Sequence, residues 1–202
     1  MFKSKLNNMK IQSLIIVLLL TATTLIACNK KRRFGIFTVS KNKTTVEMDG
    51  TIGRSSLKNF NKLLKKYPSI DRIEIIECGG SSDDETNLQL SLKVHQKGIN
   101  IHLLDNGEIA SGGVDFFLAG IERTKGFNTK IGVHSWDSNE GSATDFEIGH
   151  SNHLPYIDYY VSIGFTQEEA EVFYYFTINA APASSIHWMT DAEIDSYKII
   201  TN

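Results

Sequence analysis

Ser111 stands in the run Ile109-Ala110-Ser111-Gly112-Gly113, followed by the apolar residues Val114, Phe116, Phe117, Leu118 and Ala119. This pattern reads as a strand, a tight turn and a buried helix, with the serine at the turn. A serine hydroxyl is a poor nucleophile at neutral pH unless a neighbouring base takes its proton. His134 is the candidate base. It ends the short strand pattern Ile131-Gly132-Val133, 23 positions after the serine, and an unperturbed imidazole titrates near pH ~6.5. Backbone N–H groups are free at a helix start and the dipole there favours negative charge, which suits Gly112 to holding an oxyanion. Each residue also has a plain structural reading. Serine is a preferred N-cap, and a histidine at a strand end can be a hydrogen-bonded core residue.

Other chemistries are less well supplied. His150 and His153, with Asp145 or Asp158, suggest a metal, but no third ligand is fixed and catalytic zinc takes three protein ligands. Gly79-Gly80 is too short for a phosphate loop and no Gly-Lys-Ser/Thr follows. The α/β-hydrolase elbow needs glycine two residues before the serine, where Ile109 stands. The aromatic groups Tyr156, Tyr159, Tyr160 and Phe173, Tyr174, Tyr175, Phe176 lie at helical spacing and read as core or an oligomer contact. Asp83, Asp84 and Glu85 read as the solvated first turn of a helix. No metal and no cofactor is expected.

The elements that must position these residues alternate. Residues 44–52 read as a strand or hairpin ending at glycines. Ser55 or Ser56 starts a helix whose Leu57, Phe60, Leu63, Leu64 and Tyr67 share a face, and Pro68 stops it. Residues 73–76 form a strand that leads into Gly79-Gly80. A helix runs to Lys97 and ends at Gly98, and 99–104 is the next strand. Residues 137–145 read as a surface loop. Helices follow at 155–163 and 167–178, the second with a Thr166/Glu169 capping box, and Thr190/Glu193 repeats that box before a short last helix. Strands alternating with helices predict an α/β domain.

The N-terminus predicts export. Lys3, Lys5 and Lys10 precede an apolar run at 11–20, small residues follow, and then comes Cys28. That is the layout of a signal peptide, and the run is short for a membrane-spanning helix, the remaining alternative. Leu25-Ile26-Ala27-Cys28 resembles the bacterial lipobox, which implies cleavage before Cys28 and lipid on its sulfur. The expected layout is a signal peptide at 1–27, a lipidated cysteine and basic tether at 28–43, and one domain at 44–202. Without its three leader lysines the chain carries 18 basic against 23 acidic residues, a net of −5. A nucleic-acid partner, which needs a basic face, is not expected. Cys78 then has no intrachain partner, so no disulfide is expected.

The order Asp49-Gly50-Thr51-Ile52, Gly79-Gly80, Ala110-Ser111-Gly112-Gly113, Gly132-Val133-His134 and Trp188–Ile194 resembles the Clp protease proteolytic subunit and signal peptide peptidase families of the Clp/crotonase superfamily, over roughly residues 45–200. The resemblance implies a ββα spiral in one domain. It implies that strand ends bring Ser111 and His134 together, that the N–H of Gly79 joins that of Gly112 as oxyanion donors, and that Gly80 shapes the turn. It also implies a peptide or other acyl substrate and leaves room for a homo-oligomer. The third catalytic position of the triad families falls on Ile186. Asp158 or Asp145 is left as a relocated acid, a Ser-His dyad remains open, and Lys130 is the nearest lysine for the peptidase variant. Two further readings stand beside the hydrolase: a non-catalytic envelope lipoprotein that binds or scaffolds, and an acyl-CoA enzyme, which an exported location disfavours.

Overall fold

The computed structural model describes residues 32–201. The expected signal peptide and Cys28 lie outside the described residues. Among the described residues no helix is long and apolar enough to cross a membrane.

The strands are β1 (Arg33–Phe34), β2 (Phe37–Val39), β3 (Thr45–Asp49), β4 (Arg72–Cys78), β5 (Asn100–Ala110), β6 (Arg123–Lys125), β7 (Lys130–Val133), the small hairpin β8 (Asp137–Ser138) and β9 (Gly141–Ser142), and β10 (His187–Trp188). The helices are α1 (Ser56–Lys66), α2 (Asp84–Gln96), α3 (Gly112–Leu118), α4 (Leu154–Ser162), α5 (Gln167–Ala180) and α6 (Asp191–Ser196). The main sheet runs β1-β2-β3-β4-β5-β7-β10, with β6 also beside β5. Its centre, β3 through β7, is parallel, and β2 joins β3 and β10 joins β7 antiparallel.

Local sequence explains most of these elements. Phe60, Leu63 and Leu64 of α1 are buried as their helical spacing requires. Asp83 caps α2 by accepting from the Thr86 N–H at 2.9 Å, and both expected capping boxes form, at Thr166/Glu169 and Thr190/Glu193. The apolar strand residues Val46, Ile73, Ile75, Ile101 and Leu103 meet α1 to α3 in one core.

Two expectations are corrected. The tether expected at 28–43 contains β2, and the sheet begins before residue 44. Phe37 is fully buried, with its ring 5.2 Å from Phe60 and 6.4 Å from Phe116, so apolar burial overrides the basic run just before it. Residues 99–104 are also not a separate strand. β5 continues to Ala110 through a register jump, in which Ile75 faces Leu103 but Glu77 faces Glu108. Asn106, with φ 59, sits in the skipped stretch. The jump gives β5 two sets of neighbours: β6 along Ile101–Leu103, and β7 along its end at Ile109 and Ala110. The second half delivers Ser111 to the sheet edge next to β7.

Candidate active site

β5 ends at Ala110 and α3 starts at Gly112, so one residue must make the whole turn. Ser111 does so with φ 53 and ψ −133, a backbone conformation that L-residues avoid. Its amide donates to the Gly132 carbonyl at 3.0 Å, which ties the turn to β7. Buried Asn87 of α2 donates to the Gly112 carbonyl at 2.9 Å and holds the other side. Gly113 is forced by contact, because a Cβ there would lie 2.6 Å from the Cys78 carbonyl oxygen. The strain is therefore set by three neighbouring elements. The Ser111 hydroxyl has no hydrogen-bond partner among the described residues and caps nothing.

Gly79 and Gly80 follow β4 and lie beside this turn. Gly80 has φ 131, and a Cβ on it would approach Ser111 Cβ to 3.1 Å and Oγ to 3.5 Å. A side chain at position 80 would be strained and would crowd the hydroxyl. Among the described residues the amide N–H groups of Gly79 and Gly112 donate to no backbone carbonyl, whereas the Gly80 backbone is engaged by the Cys78 sulfur.

β7 ends at Val133, and His134 is the next residue. Its Nδ1 lies 2.7 Å from the Ser135 carbonyl oxygen. A carbonyl only accepts, so in the neutral ring Nδ1 carries the proton and Nε2 presents its lone pair. Ser135 is buried, and its N–H donates to the Ala181 carbonyl at 2.8 Å, which fixes the loop that fixes the imidazole. Ser111, Gly112 and His134 line one cavity of about 50 Å³.

The relocated acids do not reach the imidazole. Asp158 is on the exposed side of α4, while its neighbours Tyr159 and Tyr160 point into the core. Asp145 is used in a capping box, accepting from the Ser142 N–H at 2.8 Å. Lys130 is exposed and pairs with Glu108 at 3.2 Å. Ile186 is 40% exposed and packs on Gly132. The group that orients His134 is a backbone carbonyl.

The two suggested metal-binding histidines stay neighbours, with ring centroids 6.3 Å apart, but differ in burial and gain no third ligand among the described residues. His150 is exposed and His153 is fully buried, with Nδ1 2.7 Å from the Tyr174 hydroxyl. Among the described residues no group of three or more His, Cys, Asp or Glu side chains could hold a metal ion. Cys78 is a buried free thiol whose pKa burial pushes up to about 11.

Tyr156 and Tyr174, expected as core or an oligomer contact, form walls of this cavity with Trp136. Trp136, Tyr156 and Tyr174 stack as three near-parallel rings, with centroids 6.4 and 5.6 Å apart. Tyr156 donates to Asp84 Oδ2 at 2.7 Å, and Ser81 donates to the other oxygen of Asp84. Asp115, from the helix that follows Ser111, lines the same cavity and accepts from Tyr160 at 2.6 Å. A single acid inside the apolar run Val114 to Ala119 was the available signal for it.

No protein-family model and no curated relative matches the chain. Solved structures do. A mutant of the 1510-N membrane-bound stomatin-specific protease, in complex with a substrate peptide, is 18% identical, with a TM-score of 0.51 over 76% of this chain and 71% of that one. A ClpP1 mutant from Listeria monocytogenes is 19% identical, with a TM-score of 0.52 over 79% and 90%. The ClpP protease catalytic domain from Plasmodium falciparum is 18% identical, with a TM-score of 0.53 over 79% and 83%. The chain therefore has the ClpP-like α/β fold that the sequence resemblance implied.

Proposed function

We propose that the chain is a serine hydrolase of the bacterial envelope, anchored through lipid on Cys28 and cleaving a peptide or other acyl bond. Ser111 Oγ attacks the carbonyl carbon while its proton passes to His134 Nε2. The carbonyl π electrons move onto oxygen, and the N–H groups of Gly79 and Gly112 hold that charge, with Gly80 leaving the approach open. The protonated imidazole gives its proton to the leaving group as the C–N or C–O bond breaks. Water then hydrolyses the acyl-enzyme with the same base.

The observation that carries this reading is the pairing of a strained, unpartnered hydroxyl with an imidazole in one cavity, the imidazole held in the tautomer a base requires. Backbone strain that neighbouring elements enforce without a stability gain is a mark of functional turns. The shared fold with solved proteases, one of them bound to a peptide, supports a peptide bond as the target. The same likeness motivates a homo-oligomer.

The test is a fluorophosphonate probe applied to the purified chain. Wild type should be modified at Ser111, identified by peptide mass, and Ser111→Ala should not. Equal modification of both would end the hydrolase reading. The second reading, a non-catalytic envelope lipoprotein, draws on the lack of a carboxylate at His134 Nδ1. It expects no modification of either protein.

A further inference from the structure

We propose that the cavity beside Ser111 is a cation-selective subsite, built to take a short unbranched side chain ending in an ammonium group, as in lysine, with Asp115 as its counter-ion. As a subsite it rests on the reading of Ser111 as nucleophile, but the pocket is argued from its own chemistry.

Asp115 is 8% exposed. Its Oδ1 accepts from Tyr160, and its Oδ2 has no donor among the described residues. No lysine or arginine lines the cavity, and among the described residues no ion pair reaches Asp115. An ionised carboxylate in such a place is costly until a cation joins it. Burial, more than the nearby Asp84, pushes its pKa up to about 7. The carboxyl is thus held at the edge of ionisation, and a bound ammonium would complete it.

The hydroxyls around it are turned the same way. Tyr160 gives its proton to Asp115, Tyr156 gives its proton to Asp84, and Thr177 donates to the Tyr174 carbonyl at 2.7 Å. Each donor is used elsewhere, so what these oxygens offer the cavity is lone pairs. These acceptors share the cavity with the apolar Val114, Val133 and Ile178, a combination that fits an occupant with methylenes and a positively charged, donor-rich end and disfavours a carboxylate.

Size narrows the class. The cavity of about 50 Å³ has room for roughly three to five groups the size of a water or a methylene. That suits the end of a lysine chain. A guanidinium is a planar fork of five donors and needs a wider slot.

Two measurements on the full chain separate this proposal from the one it rests on. Lysine and norleucine diphenyl phosphonates should modify wild-type Ser111 by displacing phenoxide, with the lysine reagent faster by about tenfold or more, a difference that one paired charge readily supplies. In Asp115→Asn that ratio should fall to about one. Independently of any covalent step, n-pentylammonium at millimolar concentration should raise the wild-type Tm by roughly 2–4 °C, with no effect from n-pentanol and none on Asp115→Asn. Modification of Ser111 at equal rates by both phosphonates, without the Tm rise, overturns the cation subsite and leaves the nucleophile standing. A Tm rise confined to wild type, with no reagent modifying Ser111, leaves the cation pocket standing and removes the hydrolase. The wild-type ratio and Tm decide the question even if the variant folds poorly.

Discussion

Two polar nodes of the molecule use similar groups and are finished in opposite ways. At Arg123 each guanidinium nitrogen is tied to a carbonyl: Nε to Ile199 at 2.8 Å, Nη1 to Gly120 at 3.0 Å and Nη2 to Lys198 at 2.9 Å, and the backbone N–H donates to Thr201 Oγ1 at 2.7 Å. At Ser111 the node is open. Among the described residues the hydroxyl, the Gly79 and Gly112 amides, His134 Nε2 and Asp115 Oδ2 lack partners. Folding alone favours closing polar groups on one another. A cluster left open inside a packed fold is one whose partners are brought by something else.

Experiments that break one node and spare the other sharpen this contrast. The largest effect is expected for chemistry at the open node. Ser111→Ala should abolish fluorophosphonate modification. His134→Ala should slow it by about 10²–10⁴-fold, the usual share of a general base. A loss under threefold in His134→Ala would remove the imidazole from the mechanism.

Next comes the pH dependence of stability. Asp115 binds its proton more tightly folded than unfolded, because its carboxyl rises from 3.8 to about 7. That advantage is fully present below the unfolded value and is lost as pH rises through about 7. It amounts to roughly 4 kcal/mol across the window. Asp115→Asn should flatten the fall in urea-unfolding free energy between pH 4 and 7, and should be the more stable protein at pH 8. An unchanged slope would mean the carboxyl is better solvated than its burial suggests.

Arg123→Met tests the closed node. It leaves three carbonyls without their charged donor and should cost about 3 kcal/mol in urea unfolding. The folded protein should keep its rate of Ser111 modification within twofold. A collapse of that rate would show that the two nodes are coupled.

The smallest effect concerns strain. Ser111→Gly should be about 1 kcal/mol more stable than Ser111→Ala, since glycine tolerates φ 53 and ψ −133 and alanine does not. Equal stabilities would argue that the turn relaxes in solution.

The sequence made much of the scaffold legible and less of the site. Helices with a clear apolar face or a capping box, such as α1 and α5, follow from local pattern. The short strand β2 was hidden because three residues beside a basic run carry too little pattern, and only its burial against Phe60 reveals it. The register jump in β5 read as a break because Asn106 and Gly107 are turn residues wherever they occur. Ser111, His134 and the glycines were legible from type and order. The orienting group of His134 was not, because every residue at position 135 offers the same carbonyl. The aromatic walls of the cavity read as core or an oligomer contact, and Tyr156 and Tyr160 do pack inward while their hydroxyls face the acids.

The packing behind the serine turn also makes a clock. Cys78 is sealed beneath Gly113, fully buried, and burial pushes its thiol pKa up to about 11. A thiolate-selective alkylating reagent can reach it only when β4 and α3 come apart. The rate at which the peptide containing Cys78 gains mass therefore reads how often the floor under Ser111 opens, in native buffer and without denaturant. Ligands that fill the cavity should slow that rate in proportion to their occupancy.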